Sequence, residues 1–343
     1  MDSNQRGKRW RMAGFFALVA ACVLAGGGYI AWAATTRNAE TGSSIDSAAA
    51  AQELSSRKER PVVMFQSVAR DVENNVIKTP TYAHIALARL ADPRGRRIYA
   101  NLVCERVYFA GGRGLCLVPV QRPIGPKYVA KIFDADFKVL HEVRLSGVPS
   151  RARVSLDGRL GATTVFVLGH SYSDQSFSTK TNLVDMESGA IVADNLENFS
   201  VFRDGRQVKR RDFNFWGVTF ARDSNRFYAT LGTGGKTYLV RGDVRAQRME
   251  VLHEGVECPS LSPDNTRIAF KKIVAGAWRL TVLDLRTFEE TQLAEKRPVD
   301  DQVEWLDNDH VAYGFYGVWS VRADGTGEPQ MLLPDGRSPA VVR

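Results

Sequence analysis

The sequence predicts an all-β fold, a β-propeller of six blades with seven possible, preceded by one N-terminal transmembrane helix. Three observations carry this reading. A strand–polar turn–strand unit recurs along the chain, and a second apolar-strand-and-turn element recurs in phase with it. The recurrence has a period near ~42 residues, the length of a blade of about four strands.

The first unit is clearest at residues 259–270, PSLSPDNTRIAF. Pro263 presets φ at the second turn position, while Asp264 and Asn265 bond their own backbone and tolerate tight geometry. Short β-rich apolar runs flank the turn, the signature of two strands. Asp223 stands 41 residues before Asp264, and Asp307 stands 43 after it. Asp157 precedes Asp223 by 66 residues, one period plus an insertion, and residues 91–99 form a weaker fifth copy. Asp157, Asp223, Asp264 and Asp307 are read as structural turn carboxylates, because no active site needs one per blade.

The second element is KIFDAD at 131–136, LVDMESG at 183–189, YLVRGD at 238–243, TVLDLR at 281–286 and WSVRADG at 319–325. Each is an apolar strand running into a hairpin turn. Residues 262–270 (SPDNTRIAF) and 318–327 (VWSVRADGTG) resemble the blade signatures of TolB-like β-propellers. The similarity runs from about residue 60 to residue 343 and is sharpest after residue 210. The resemblance implies an extracytoplasmic propeller that serves as a protein-interaction platform. The chain departs from that family's namesake in showing no α/β domain ahead of the propeller.

Taken in order, the chain divides into 1–12, 13–33, 34–60 and 61–343. Residues 1–12 carry four Lys/Arg and one Asp, which leaves +5 of the net charge of +8 for the rest. That remainder is mildly basic with no aromatic-interleaved basic tract long enough for a nucleic-acid groove, so nucleic acid is not expected as a partner. Residues 13–33 are 21 uncharged apolar residues, enough to cross ~30 Å of hydrocarbon. The cations before them put the N-terminus in the cytoplasm and everything after outside. Cleaved forms share that placement: Ala31-Trp32-Ala33 fits a signal cleavage site, and Val19–Cys22 a lipoprotein processing box. Residues 34–60, rich in Ala, Ser and Thr, read as a flexible tether with a short helix near 48–54.

Strands begin after Pro61, and 283 residues hold six blades at ~42 each. The sixth must combine the first strands with the end of the chain, and closure is expected between residues 62–68 and 319–333. A hairpin is expected from 102–109 and 114–120. Cys104 and Cys116 are symmetric about Ala110, so a turn centred there would allow a disulfide, whereas a turn centred on Gly111 and Gly112 would offset them; buried free thiols are the alternative. Cys258 is left over as a buried thiol.

The extra length between the Asp157 and Asp223 copies is residues 195–215, a hairpin turning at Asp204-Gly205. It holds Arg203, Arg206, Lys209, Arg210 and Arg211, flanked by aromatics including Trp216, and these six are the partner-contact candidates. An anionic envelope partner, or an ordinary solvated basic face, would suit that composition.

Catalytic motifs are not found. Gly232–Lys236 is followed by a strand where a phosphate loop needs a helix. Gly169–Ser173 lacks the second glycine of a nucleophile elbow. His84, His141, His170, His253 and His310 are isolated, and Asp134-x-Asp136 and Asp307–Asp309 lack the Gly and Glu of a calcium loop. The expected protein is therefore a monomeric, membrane-tethered, non-catalytic binding scaffold of the cell envelope without cofactor. The alternative is a calcium-dependent propeller lactonase or lyase.

Overall fold

The computed structural model describes residues 45–69, 72–73, 76–77, 81–120, 127–169, 172 and 177–343. The expected anchor at 13–33, Cys22, the tether up to residue 44, and His170 with Ser171 lie outside them. No described helix is long and apolar enough to cross a membrane.

Six sheets form the six blades, each built on four antiparallel strands. From the channel outward, blade 1 is Gly336–Val342, Val62–Ser67, His84–Arg89 and Ile98–Val103. Blade 2 is Arg106–Ala110, Arg113–Val120, Lys127–Asp134 and Val139–Leu145. Blade 3 is Val148–Val154, Leu160–Leu168, Ser178–Asp185 and Ile191–Ala193. Blade 4 begins with Asn214–Phe220, Arg226–Thr233, Lys236–Asp243 and Arg248–Glu254. Blade 5 is Glu257–Leu261, Arg267–Val274, Ala277–Asp284 and Glu290–Gln292; blade 6 is Glu304–Trp305, His310–Gly314, Val318–Arg322 and Gln330–Leu333. Strands are lettered a to d outward within each blade. Because they alternate in direction, every a–b and c–d turn lies at one end of the ring, and every b–c turn at the other.

The core is divided among the joints between blades. One apolar cluster fills each joint, from Met64, Phe109 and Phe133 between blades 1 and 2 to Phe65, Leu333 and Val341 between blades 6 and 1. A blade buries both faces, so its middle strands read as nearly continuous apolar runs. Close approach is required at two registered pairs, Gly114 with Phe133 and Phe227 with Gly242. A Cβ at either glycine would lie 2.0 Å from the facing ring.

The two recurring motifs occupy one end of the ring. Asp157, Asp223, Asp264 and Asp307 sit in the a–b turns of blades 3 to 6 and cap backbone amides there. Asp307 Oδ1 accepts from Asp309 and His310, each at 2.7 Å, and Asp223 Oδ1 accepts from Arg226 at 2.8 Å. The second motif is strand c running into the c–d turn, as where Asp185 Oδ1 accepts from Ser188 N at 2.7 Å. Residues 91–99 belong instead to the c–d turn of blade 1, so the weak fifth copy is not an a–b turn.

Three expectations are corrected. Closure uses Gly336–Val342, which pairs antiparallel with Val62–Ser67, while 319–333 belong to the separate blade 6. The hairpin near 110 pairs Val107 with Cys116. Cys104 lies before it, just beyond the last strand of blade 1, and is joined to Cys116 with Cα atoms 5.4 Å apart. The bond therefore links blade 1 to blade 2. Finally, the flexible tether is expected to run to residue 60, but the chain is folded from residue 45, and the short helix expected near 48–54 is there. A helix, Ser47–Ser55, is capped by Asp46 and buries Ala50 and Leu54 against blades 1 and 2. Arg89 bonds Glu53 at 2.8 Å.

Removing residues 336–343 should strip blade 1 of its inner strand and leave an open edge, which sheets avoid. The expected result is a lower melting temperature for the whole domain, with aggregation. A melting curve matching the full chain would show that closure lies elsewhere.

Candidate functional site

The six inner strands converge on a channel lined by charge. Proline recurs there at Pro149, Pro259 and Pro339, in the inner strands of blades 3, 5 and 1. Those strands are open on the channel side, where a missing N–H is tolerated. Each also shows a register shift near its proline.

Arg153 of blade 3 reaches across to Glu304 of blade 6 at 2.5 Å, and both side chains are buried. Its other nitrogen donates to Ser260 Oγ at 3.0 Å and to the Val303 carbonyl at 2.7 Å. Glu304 Oε1 accepts from the Tyr108 hydroxyl of blade 2 at 3.2 Å and from Val341 N of blade 1 at 3.3 Å. Gln302 Nε2 donates to the carbonyls of Val218 in blade 4 and Pro259 in blade 5, at 3.2 and 2.8 Å. The segment entering blade 6 thus ties all six blades together.

Nearer the b–c end, Lys271 is fully buried with Nζ 2.5 Å from Asp300 Oδ1. Arg151 approaches the same carboxylate at 3.5 Å and lies 5.0 Å over the Tyr172 ring. Arg106 has no ion pair among the described residues and donates to the Ser150 carbonyl at 2.7 Å. Burial, reinforced by the charge of Arg151, pulls its guanidinium down to about 10. Burial also pushes the Tyr108 hydroxyl far up, helped by Glu304, so it remains a donor. The gap lined by Arg106, Arg151, Arg153, Asp301 and Gln302 measures 20 Å³, about the room of one water. The channel is closed at that level.

Above it, at the a–b end, lies a mouth of 290 Å³ whose lining includes Tyr108, Leu156, Phe220, Arg222, Trp305 and Arg343. Its rim is cross-braced. Arg222 donates to the Pro263 carbonyl at 2.6 Å, and Arg343 to the Trp305 carbonyl at 3.1 Å. Leu156 is 64% exposed there, a large apolar side chain facing solvent.

The inserted residues lie elsewhere. Ser200–Arg203 pairs in parallel with the outer strand of blade 4, and Arg206–Val208 follows, extending that sheet to six strands. Asp204 and Gly205 have φ of 51° and 74°, as the Asp-Gly turn requires. Arg203, Arg206, Lys209, Arg210 and Arg211 are exposed on this outer edge. Trp216 is not part of that surface: it is 2% exposed, at the b–c end of the channel, stacked 5.5 Å from Tyr172. Phe199 and Phe215 are likewise buried between blades 3 and 4. The aromatics anchor the insertion, and the cations face outward.

Among the described residues no three His, Cys, Asp or Glu side chains gather as a metal site. Arg151, Arg153, Asp300, Gln302 and Glu304 escaped the sequence reading. The pertinent signal was Arg-x-Arg in a short strand, whose period of two aims both side chains one way.

Asp300 supplies a pH test. Burial raises its carboxyl, but Lys271 and then Arg151 outweigh that and leave it below the ordinary carboxylate range. A depressed folded value stabilises above the unfolded value of about 3.9 and is lost as pH falls through the folded one. Asp300→Asn should therefore lose less melting temperature than wild type between about pH 5 and about pH 3. Parallel acid profiles would contradict the pairing.

No model of a known protein family matches the sequence, and no curated protein matches it. Among solved structures, TolB from Acinetobacter baumannii is similar with a TM-score of 0.56 at 14% identity. The match covers 82% of this chain and 66% of that one, so this chain spans just under two thirds of its length. A TolB candidate from Agrobacterium tumefaciens gives 0.46 at 12% identity, covering 81% of this chain and 91% of the other. A candidate 6-phosphogluconolactonase from Bacteroides uniformis gives 0.46 at 9%, covering 82% and 99%. With its blade order, its ring closure and its likeness to the Acinetobacter baumannii structure, the domain has the six-bladed TolB-like β-propeller fold.

Proposed function

We propose that this chain is a non-catalytic binding module of the cell envelope, held at the membrane by residues 13–33 with the propeller outside the cytoplasm. The observation that carries the reading is the channel mouth. It is a braced cup closed beneath by ion pairs, with Tyr108, Phe220, Trp305, Arg222 and Arg343 in its lining. Aromatic and Arg side chains around a preformed concavity are what interface centres favour. A rigid rim avoids the ordering cost that weakens binding by loose loops. The partner expected is a protein segment with an apolar side chain to set against Leu156.

Leu156→Asp places a charge at the mouth without touching the core. Crosslinked capture from membranes should lose its principal partner with this variant while the melting temperature holds. Undiminished capture would move the interface away from the mouth. Tight stoichiometric calcium in the purified protein would instead favour the enzyme reading.

The expected orientation has its own check. Protease added to cells with permeabilised walls should degrade the propeller while the inner membrane is intact. Protection until that membrane is broken would reverse the placement.

A further inference from the structure

The insertion in blade 4 builds a second cavity, which owes nothing to the channel mouth. It measures 270 Å³ and lies beside the b–c turn of blade 4. Val201, Arg203 and Val208 of the inserted hairpin form one wall, and Arg210 and Phe213 of the segment returning to the channel form another. Leu231, Tyr238 and Val251 of the blade's own sheet supply the floor. Without residues 195–213 only that floor would remain. Material that a blade does not require has here been spent on an enclosure.

The chemistry of the enclosure is two-sided. Its interior is aliphatic and aromatic, and its cationic groups are the guanidinium groups of Arg203 and Arg210. Arg203 is positioned by Tyr238, whose ring centroid lies 5.2 Å from its Cζ, and its only ion pair among the described residues is to the exposed Asp204 at 4.0 Å. Arg210 is held 3.3 Å from Asp212. That aspartate is already committed, accepting from Gly234 N at 2.6 Å and from Thr233 Oγ1 at 2.9 Å. These bonds, the Gly234 amide first, pull its carboxyl down to about 2. Asp212 therefore fixes the returning segment to the b–c turn and carries Arg210 to the cavity. Arg206, Lys209 and Arg211 have no ion pair among the described residues, so the surrounding field is positive.

We propose that this cavity binds a small anionic amphiphile, an apolar chain or ring bearing one carboxylate. The apolar part would occupy the space among Val201, Val208, Phe213 and Leu231. The carboxylate would meet Arg203 and Arg210, with charge-assisted hydrogen bonds to planar guanidinium groups. A neutral molecule of the same shape would offer the two guanidinium groups no anion beyond Asp204 and Asp212, and a bare anion would leave the apolar interior empty.

Octanoate is a suitable probe, titrated calorimetrically into the purified chain at low salt. It should bind saturably and raise the melting temperature, with octanol and inorganic phosphate each at least about tenfold weaker. The exposed pair of substitutions Arg203→Ser and Arg210→Ser should weaken octanoate at least about tenfold. Val208→Trp, which fills the cavity, should abolish binding. Leu156→Asp at the channel mouth should leave octanoate binding unchanged, so this site stands or falls apart from the partner reading. Absence of saturable binding would overturn the proposal. So would octanol or phosphate binding as well as octanoate, or octanoate binding that survives Val208→Trp.

Discussion

The contact between Arg153 and Glu304 is the constraint on which the rest of the ring depends. It spans the channel from blade 3 to blade 6, with neither side chain open to solvent. Each inner strand has a sheet neighbour on one side only, so nothing in the sheets themselves fixes how six of them meet at the centre. The charges do so. Glu304 also receives Tyr108 and Val341, and Arg153 also reaches Ser260 and Val303. Desolvating such a pair is expensive, and an apolar plug of the same volume could be as stable. What the polar plug adds is direction, since each donor must meet its own acceptor before the ring can close.

Two properties follow from that plug. The channel is closed at mid-height, so the mouth above it is a cup with a fixed floor, and the blades behind that cup cannot splay independently. Binding at such a mouth would proceed with little backbone rearrangement. The outer edge of blade 4 is a different case. It is attached through a parallel pairing of three residue pairs, Ser200–Phe202 with Arg248–Glu250. It is anchored by Phe199 and Phe215 and stapled by Asp212 to Gly234. The molecule thus separates a concavity made by the ring from a cavity made by an addition to the ring.

The legible part of the sequence was what repeats locally. The a–b and c–d turns bind their own aspartates within three or so residues, so their signatures survive in the chain as short motifs. Blade number and the Asp204-Gly205 hairpin followed from the same local chemistry. What was not legible depends on partners far apart in sequence. Arg153 and Glu304 are separated by 151 residues, and neither position announces the other. For the cysteines the expected pairing, Cys104 with Cys116, is present, but the expected route is not. Symmetry about Ala110 suggested a cross-hairpin bond, but the turn is centred on Gly111 and Gly112, and Val107 faces Cys116. The bond forms because the two blades are adjacent. The closing strand was expected at 319–333, whereas it lies at Gly336–Val342 and contains Pro339, which an inner strand tolerates on its open side. Pro149 and Pro259 in equivalent strands would have revealed that rule.

The central claim is that a charge pair, not general burial, organises the ring. A double-substitution cycle at Arg153 and Glu304, followed by chemical denaturation, tests it most directly. Arg153→Met or Glu304→Met alone should destabilise by about 3–5 kcal/mol, because each strands a buried charge. The double Met variant should recover most of that loss, giving strong coupling between the two positions. Small, additive losses would contradict the account and place the organising force in the apolar joints between blades.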